Sequence, residues 1–314
     1  MTLRALYDVP APAKLNLFLH IVGRRADGYH LLQSPFLLID WADSLHFERR
    51  DDGLLQRHDL GPQLPVDDLC LRAARTLQQA SACVLGADIS IDKRLPSGAG
   101  MGGGSSDAAS TLLALNRLWG LGWTRQRLAT LALTIGADVP FFVCGDNAFV
   151  EGIGERITPI HLEPASYAVI KPAASLSTRE IFEHPLLVRE TDPVILTGSV
   201  GEADGLVAGR ERCSPHNVRH AIGHGDFWHA DFGHNDLQAP AEDRCPDVRE
   251  VAGWLHTRFG NSRMTGSGSA VFARVGTELT PQTTMAADSL PAGWVGRLCR
   301  SLPSHPLRDW ADTE

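Results

Sequence analysis

The chain reads as an α+β protein built in two lobes with a site between them. Runs of period two, such as Leu15, Leu17, Leu19 and Ile21 against Lys14, Asn16, Phe18 and His20, indicate half-buried strands. Ala108, Leu112, Leu115 and Trp119 recur at three and four, the spacing of an amphipathic helix. The composition changes near His161-Leu-Glu-Pro-Ala, which divides the chain into segments 1–160 and 161–300, with residues 301–314 expected as a loose tail.

The first half predicts strand, hairpin, strand, helix, strand, glycine loop and two helices. Lys14, Asn16 and His20 share one face of the first strand while the leucines point to the core. Asp27-Gly28 marks a turn, a second strand runs through Phe36 and Ile39, and Asp51-Asp52-Gly53 is another reversal. A helix starting near Asp68 carries Leu69, Ala73 and Leu77, and Ile89 and Ile91 alternate on the strand that delivers the glycine loop. After Gly120 a helix runs from about Thr124 to Ile135, and Asp138 follows Gly136 at once. In the second half a strand spans 167–170, and Ser177-Thr-Arg-Glu180 has the pattern of a capping box. A polar segment over about 198–230 reads as loop or helix. A helix from Pro246 to about Phe259 then leads into Met264-Thr-Gly-Ser-Gly-Ser269 and a strand through Val271 and Ala273.

Composition narrows the classes of function. With 314 residues, 43% hydrophobic and 21% charged, the chain can bury a large core. A net charge of −8 argues against a nucleic-acid or anionic-membrane surface. An acidic protein that handles phosphates must focus positive charge locally, and Lys14, Arg24, Arg25, Lys93, Lys171 and Arg263 are the candidates. Six scattered cysteines without a CxxC pair, and no secretory leader, point to reduced thiols and a cytoplasmic setting. His216, His220, His224, His229 and His234 are spaced three to five apart in a polar stretch, which suits surface or lid residues better than metal ligands.

The densest signal is Pro96-Ser97-Gly98-Ala99-Gly100-Met101-Gly102-Gly103-Gly104-Ser105-Ser106, followed by Asp107 and the helical pattern. Glycines at a strand-to-helix junction let backbone amides approach a ligand, and the helix N-terminus attracts phosphate oxygens. The dinucleotide fingerprint fails because a helix stands where its second strand and acidic residue belong. The Walker form fails because no Gly-Lys-Ser/Thr follows. Ser105 and Ser106 either cap the helix or offer hydroxyls to phosphate or a metal ion.

This loop resembles the central motif of the GHMP kinases, which include galactokinase, homoserine kinase, mevalonate kinase and phosphomevalonate kinase. Pro12-Ala-Lys-Leu-Asn-Leu17, Gly23-Arg-Arg-Ala-Asp-Gly-Tyr-His30 and Met264–Ser269 carry the same resemblance, in the family's order, over about residues 8–275. It implies a ribosomal-S5-like first domain and a ferredoxin-like second. Gly-Tyr-His sets it apart from the mevalonate and homoserine branches. It implies an ATP-dependent kinase acting on the 2-hydroxyl of a cytidine-diphosphate-linked methylerythritol in non-mevalonate isoprenoid precursor synthesis.

The resemblance to Gly-Ala-Asp-Val-Pro makes Asp138 the group that takes the hydroxyl proton, where the residues alone leave a turn aspartate equally open. Lys14 would pair with it and hold it ionised. Tyr29, His30, Phe36 and Phe182 would form the cytidine pocket, with Asn16, Thr178, Gly266 and Ser267 toward the rest of the acceptor. ATP is the expected co-substrate and Mg2+ its companion, with protein ligands unassigned. The only partner expected is the small-molecule acceptor, without nucleic acid or membrane, and oligomeric state stays open between monomer and weak dimer. Thr265 stands where the family has serine, and Asp107 and Asp68 stand where it commonly has asparagine. Other readings are a mevalonate- or homoserine-type kinase, a nucleotide-binding regulator without catalysis, and, more remotely, a dinucleotide oxidoreductase.

Overall fold

A computed structural model describes residues 3–196, 220–222, 233–275 and 290–312. Most of the polar 198–230 segment, with His216, His224 and His229, therefore lies outside the described residues. The first lobe is a seven-stranded sheet made of β1 (Ala5–Asn16), β2 (His20–Arg24), β3 (His30–Arg50), β4 (Leu55–Asp59), β5 (Gly86–Asp92), β6 (Ala148–Gly152) and β7 (Arg156–Pro159). The 21-residue β3 is its spine and pairs antiparallel with β1, β2, β5 and β6. Only β4 and β5 run parallel, joined through helix α1 (Leu69–Ser81). The second lobe is a four-stranded sheet in the order β11-β12-β8-β13, from β8 (Ser166–Lys171), β11 (Arg263–Met264), β12 (Val271–Val275) and β13 (Val295–Arg300).

Packing follows from side-chain alternation on these strands. Phe36 and Leu38 of β3 join Leu112, Leu115, Phe141 and Phe142 on the helix side of the large sheet. Their neighbours Leu37, Ile39 and Trp41 face the other way, against Tyr167, Val169 and Phe272 of the second sheet. The far side of that second sheet is covered by α7 (Pro246–Phe259) through Val248, Val251 and Leu255. The order of layers is helices, sheet, sheet, helices.

Strand β1 does not keep one alternation along its length. Val9 and Ala11 face the helices, yet Ala13 and Leu15, which have the same parity, face the second sheet. The register slips between Pro12 and Ala13, where Pro12 pairs with Ala42 and Ala13 with Ile39. Such a bulge reverses which face each later residue occupies. It turns Lys14 away from the apolar seam between the sheets and onto the helix side.

Helix α2 (Gly103–Leu118) begins directly after the loop with Gly102 as N-cap, so Ser105 and Ser106 lie inside its first turns and cap nothing. Asp68 caps α1 by accepting from the Leu71 amide. Asp138 is not a tail on α3 (Arg125–Leu133); it is the N-cap residue of the six-residue α4 (Val139–Cys144). The capping box at Ser177 is not formed, and α5 (Thr178–Phe182) is a little over one turn. The remaining elements are β9 (Val194–Leu196) paired parallel with β10 (His220–Ile222), and α6 (Gln238–Arg244).

Residues 301–312 are not a loose tail. Leu302 donates to the Leu38 carbonyl, His305 to Gly145, and Leu307 is 2% exposed in the helix-side core. The segment contains little regular structure, so no periodicity announced its burial. Leu307→Ala should therefore cost about 2–5 kcal/mol of folding stability, as expected for a truncated core leucine. Urea unfolding checks it; a change below about 0.5 kcal/mol is the value for an exposed site.

Candidate active site

Backbone hydrogen bonds bring the three sequence motifs together. Lys14 N donates to Met101 O at 3.0 Å, while Ser269 N and Ala270 N donate to Gly98 O and Ala99 O at 3.1 and 3.2 Å. Ala99 and Met101 drive their side chains into the core between the sheets, which anchors the loop from below. Gly100, at φ +72°, touches the second glycine turn so closely that an added Cβ would lie 2.2 Å from Thr265 O. Gly266 meets Gly100 in the same way, with a Cβ placed 2.6 Å from its carbonyl oxygen. The two glycine turns are thus packed backbone against backbone.

Beside them opens a cleft of about 460 Å³. Pro96 to Ser105 line one side, with Lys93 and Asp107; Leu64, Pro65, Asp67, Asp68 and Leu69 form the other. Ser106 is not part of it, because its side chain is fully buried behind the loop. The cleft has the shape and donor chemistry of a nucleotide site: a run of amides and a helix N-terminus at one end, an apolar rim at the other.

Lys14 and Asp138 converge next to this loop, with Nζ 3.7 Å from Oδ2. The lysine side chain is 4% exposed and the aspartate 32%, so the acid reaches solvent and the base does not. Lys14 Nζ sits 4.4 Å above the Phe36 ring and also donates to Asn16 Oδ1. Burial holds the Lys14 ammonium below the usual lysine range, and the Asp138 charge offsets part of that.

Several expected acceptor contacts are placed differently. Phe36 is buried edge-on to Phe141, and the face it offers is taken by the Lys14 ammonium, so it does not stack on a base. Asn16 is buried too, its groups engaged by Lys14, Ser34 and Thr265. It orders the lysine and the second glycine turn. Tyr29, 61% exposed on the hairpin after Asp27-Gly28, and His30, packed against Phe182 at 5.2 Å, remain available to a flat ring. Arg189 and Arg24, with burial, hold His30 below its ordinary pKa, favouring the neutral ring that can accept as well as donate. Thr178 and Ser267 share a hydrogen bond of 2.8 Å across the lobes.

Two polar hubs escaped the sequence reading. Asp43, fully buried on β3, accepts from Arg94 N, Leu95 N and Lys93, and Lys93 also reaches Asp107 at 2.7 Å. Burial and the neighbouring Asp43 push the Asp107 carboxyl up to about 7, although the shared ammonium opposes them. Arg57 donates to Leu64 O and Pro65 O and pairs with Asp68 at 3.0 Å, fixing the outer wall of the cleft. The available signal was an acid, Asp43, inside an otherwise apolar strand. Among the described residues no three potential ligands form a metal cluster, no disulfide occurs, and no helix is long and apolar enough to cross a membrane.

Comparison with known proteins agrees with this geometry. The family model described as the GHMP kinases N terminal domain matches residues 68–146. A Methylibium petroleiphilum protein named 4-diphosphocytidyl-2-C-methyl-D-erythritol kinase is 60% identical over 312 residues, 99% of this chain and 100% of its own. The chain belongs to the 4-diphosphocytidyl-2-C-methyl-D-erythritol kinases, within the GHMP kinase family. An Acidovorax kinase of the same name is 50% identical over 314 residues, 98% of this chain and 99% of its own. A crystal structure titled 4-(cytidine 5'-diphospho)-2C-methyl-D-erythritol kinase superimposes with a TM-score of 0.70 at 31% identity, covering 93% of this chain and 98% of that one. As a GHMP kinase the chain is a phosphotransferase, and the two-lobed α+β fold is the family's.

Two outcomes test the site. Gly100→Ala, which adds both a clash and a strained φ, should reduce nucleotide affinity at least about tenfold, whereas Gly122→Ala, at φ +65° in open space, should cost only about 1–2 kcal/mol of stability. Titration of ADP and urea melts separate the two. Lys14→Met should stabilise the fold while destroying turnover. Because the folded pKa of Lys14 is depressed, its burial penalises folding at every pH below the ordinary lysine pKa and ceases to do so above it. Melting curves at pH 7 with activity assays on the same samples check both halves.

Proposed function

We propose that this kinase transfers the γ-phosphoryl group of ATP to the 2-hydroxyl of 4-diphosphocytidyl-2-C-methyl-D-erythritol, a step toward isoprenoid precursors. The observation that carries the chemistry is the Lys14–Asp138 pair held against a glycine-loop cleft. Asp138 accepts the hydroxyl proton as the acceptor oxygen attacks the γ-phosphorus. The bond from that phosphorus to the β-bridging oxygen breaks, and ADP leaves. The Lys14 ammonium keeps Asp138 ionised before transfer and neutralises charge on the attacking oxygen during it. The loop amides from Gly98 to Gly104 hold the triphosphate in line, which is where most of the catalytic advantage of such enzymes arises.

The acceptor end is read by Tyr29 and Phe182, which offer ring faces to a pyrimidine, and by His30, whose buried Nε2 has no hydrogen-bond partner in the structure. The outer cleft wall at Leu64, Pro65 and Leu69 suits the adenine of the donor. Magnesium, brought by ATP, supplies charge neutralisation between the phosphates. The donors that fit it are oxygens: the Ser105 hydroxyl and the Asp107 carboxylate line the cleft, and Asp107 Oδ1 is buried without a partner. The cytoplasm is the compartment we assign, because the five described cysteines are free thiols.

A coupled ADP-release assay offering the cytidine-linked acceptor, mevalonate and homoserine side by side decides the substrate. Turnover of the first alone is expected; turnover of either other acceptor at a comparable rate overturns the assignment. Asp138→Asn should lower kcat by about 10² or more and leave the Kd for ATP within about threefold, since it removes proton acceptance and not phosphate binding. A near-normal rate would remove Asp138 from this role.

A further inference from the structure

Asp138 is the N-cap residue of α4, but its side chain makes no capping hydrogen bond. Nothing local other than Lys14 fixes its position, so it goes where the helix goes. Helix α4 is six residues, about 9 Å long, and a helix that short is not held by its own hydrogen bonds. Its side chains from Val139 to Val143 are all buried, with Phe141 edge-on to Phe36 at 5.1 Å and Phe142 against Gly102. A displacement at one end therefore has little slack in which to dissipate before it reaches the other.

The far end of α4 is gripped by the segment after β13. His305 N donates to Gly145 O at 2.7 Å, and Ser304 bridges to Asp146 in antiparallel fashion. Arg308 pairs with Asp146 at 3.3 Å. Arg125, at the start of α3, ties these pieces together. Its Nη1 donates to Val143 O at 2.6 Å, its Nη2 to Ala311 O at 3.1 Å, and its own amide to Asp312 O at 2.7 Å. Gly145 sits at φ +81°, with room for no Cβ except one within 3.3 Å of the His305 Cβ and 3.5 Å of Arg125 Nη1. Arg125 is buried, and no carboxylate lies within ion-pair distance of it among the described residues. The guanidinium is spent on carbonyls at the end of α4 and in the terminal segment. A buried cation used in this way destabilises through desolvation unless those bonds are made well.

We infer that residues 301–312, locked through Arg125, form a positioning clamp that sets Asp138 against Lys14 by holding the opposite end of α4. Arg125 and Arg308 are positioning residues and touch neither substrate. The inference rests on the assignment of Asp138 as the proton acceptor, so the experiment runs Asp138→Asn alongside.

The test uses the full-length enzyme carrying Arg125→Gln, Arg125→Lys or Arg308→Ala, each assayed for kcat, KM for both substrates, ADP affinity and the pH dependence of kcat. Arg125→Gln should lower kcat about tenfold or more, the scale on which misplacing a catalytic group is felt, with both KM values and the ADP Kd within about threefold. Its alkaline limb should move to lower pH, because a displaced Asp138 no longer supports the buried Lys14 ammonium. Arg125→Lys, which keeps a donor, should recover part of the rate, and the exposed Arg308→Ala should shift rate and pH limb in the same direction by less. A folded Arg125→Gln enzyme with native kcat overturns the clamp. So does one that loses kcat, ADP affinity and stability together with an unmoved alkaline limb, which is the pattern of plain destabilisation. If Arg125→Gln does not fold, Arg308→Ala decides alone, and native kcat with a native pH profile overturns the clamp. A near-normal Asp138→Asn enzyme, by contrast, would overturn the role of Asp138 itself, whatever the arginine variants do.

Discussion

The contact on which the site depends is made by backbone alone. Gly100 and Gly266 approach so closely that neither tolerates a Cβ, and the bonds from Lys14, Ser269 and Ala270 to Met101, Gly98 and Ala99 close the seam around them. Because side chains are excluded from this junction, the glycine loop is held by two other segments of chain far away in sequence. The cost of ordering so many glycines is met by buried neighbours, Ala99 and Met101, which interleave with them and reach the core between the sheets. A phosphate cradle built in this way is rigid before any ligand arrives, and preorganisation of that kind is what phosphoryl transfer requires.

Charge is distributed to match. The protein carries a net charge of −8, yet places a buried ammonium at Lys14 and a second, Lys93, between two carboxylates at the cleft. Neither is cheap. Lys14 is depressed by its burial, and Asp107 is pushed up in spite of Lys93, so both sites store free energy that the fold supplies from its core. The asymmetry of the catalytic pair is functional: the cation is sealed beneath the loop, and the acid is open to the side from which a hydroxyl must come.

Much of this was legible in the chain. Glycine spacing, the Pro-Ala-Lys strand and the Met-Thr-Gly-Ser turn each report local backbone chemistry, and local chemistry is what periodicity and turn residues encode. Helices α1 and α7 begin where Asp68 and Pro246 placed them, since an N-cap and an N1 proline act within one turn. Reading roles from type and neighbourhood was less secure. Phe36 and Asn16 have the chemistry of ligand contacts, yet the fold buries both and sets them to work on Lys14. Ser105 and Ser106 are adjacent in sequence, but the turn of α2 sends one to the cleft and the other behind it.

By itself the sequence determined the phosphate cradle, the two lobes and the identity of the residues that would meet there, because each depends on short-range preference or on a pattern of buried and exposed positions. Only the tertiary structure decided where those residues point. A single extra residue at Pro12 reverses the facing of everything after it on β1, and that slip exists only in the pairing with β3. Likewise, residues 301–312 show no periodicity that would mark them as packed, because their order comes from contacts with β3, α3 and the end of α4 more than a hundred residues away. Register and long-range contact are properties of pairs of segments, and a single strand of letters carries no measure of either.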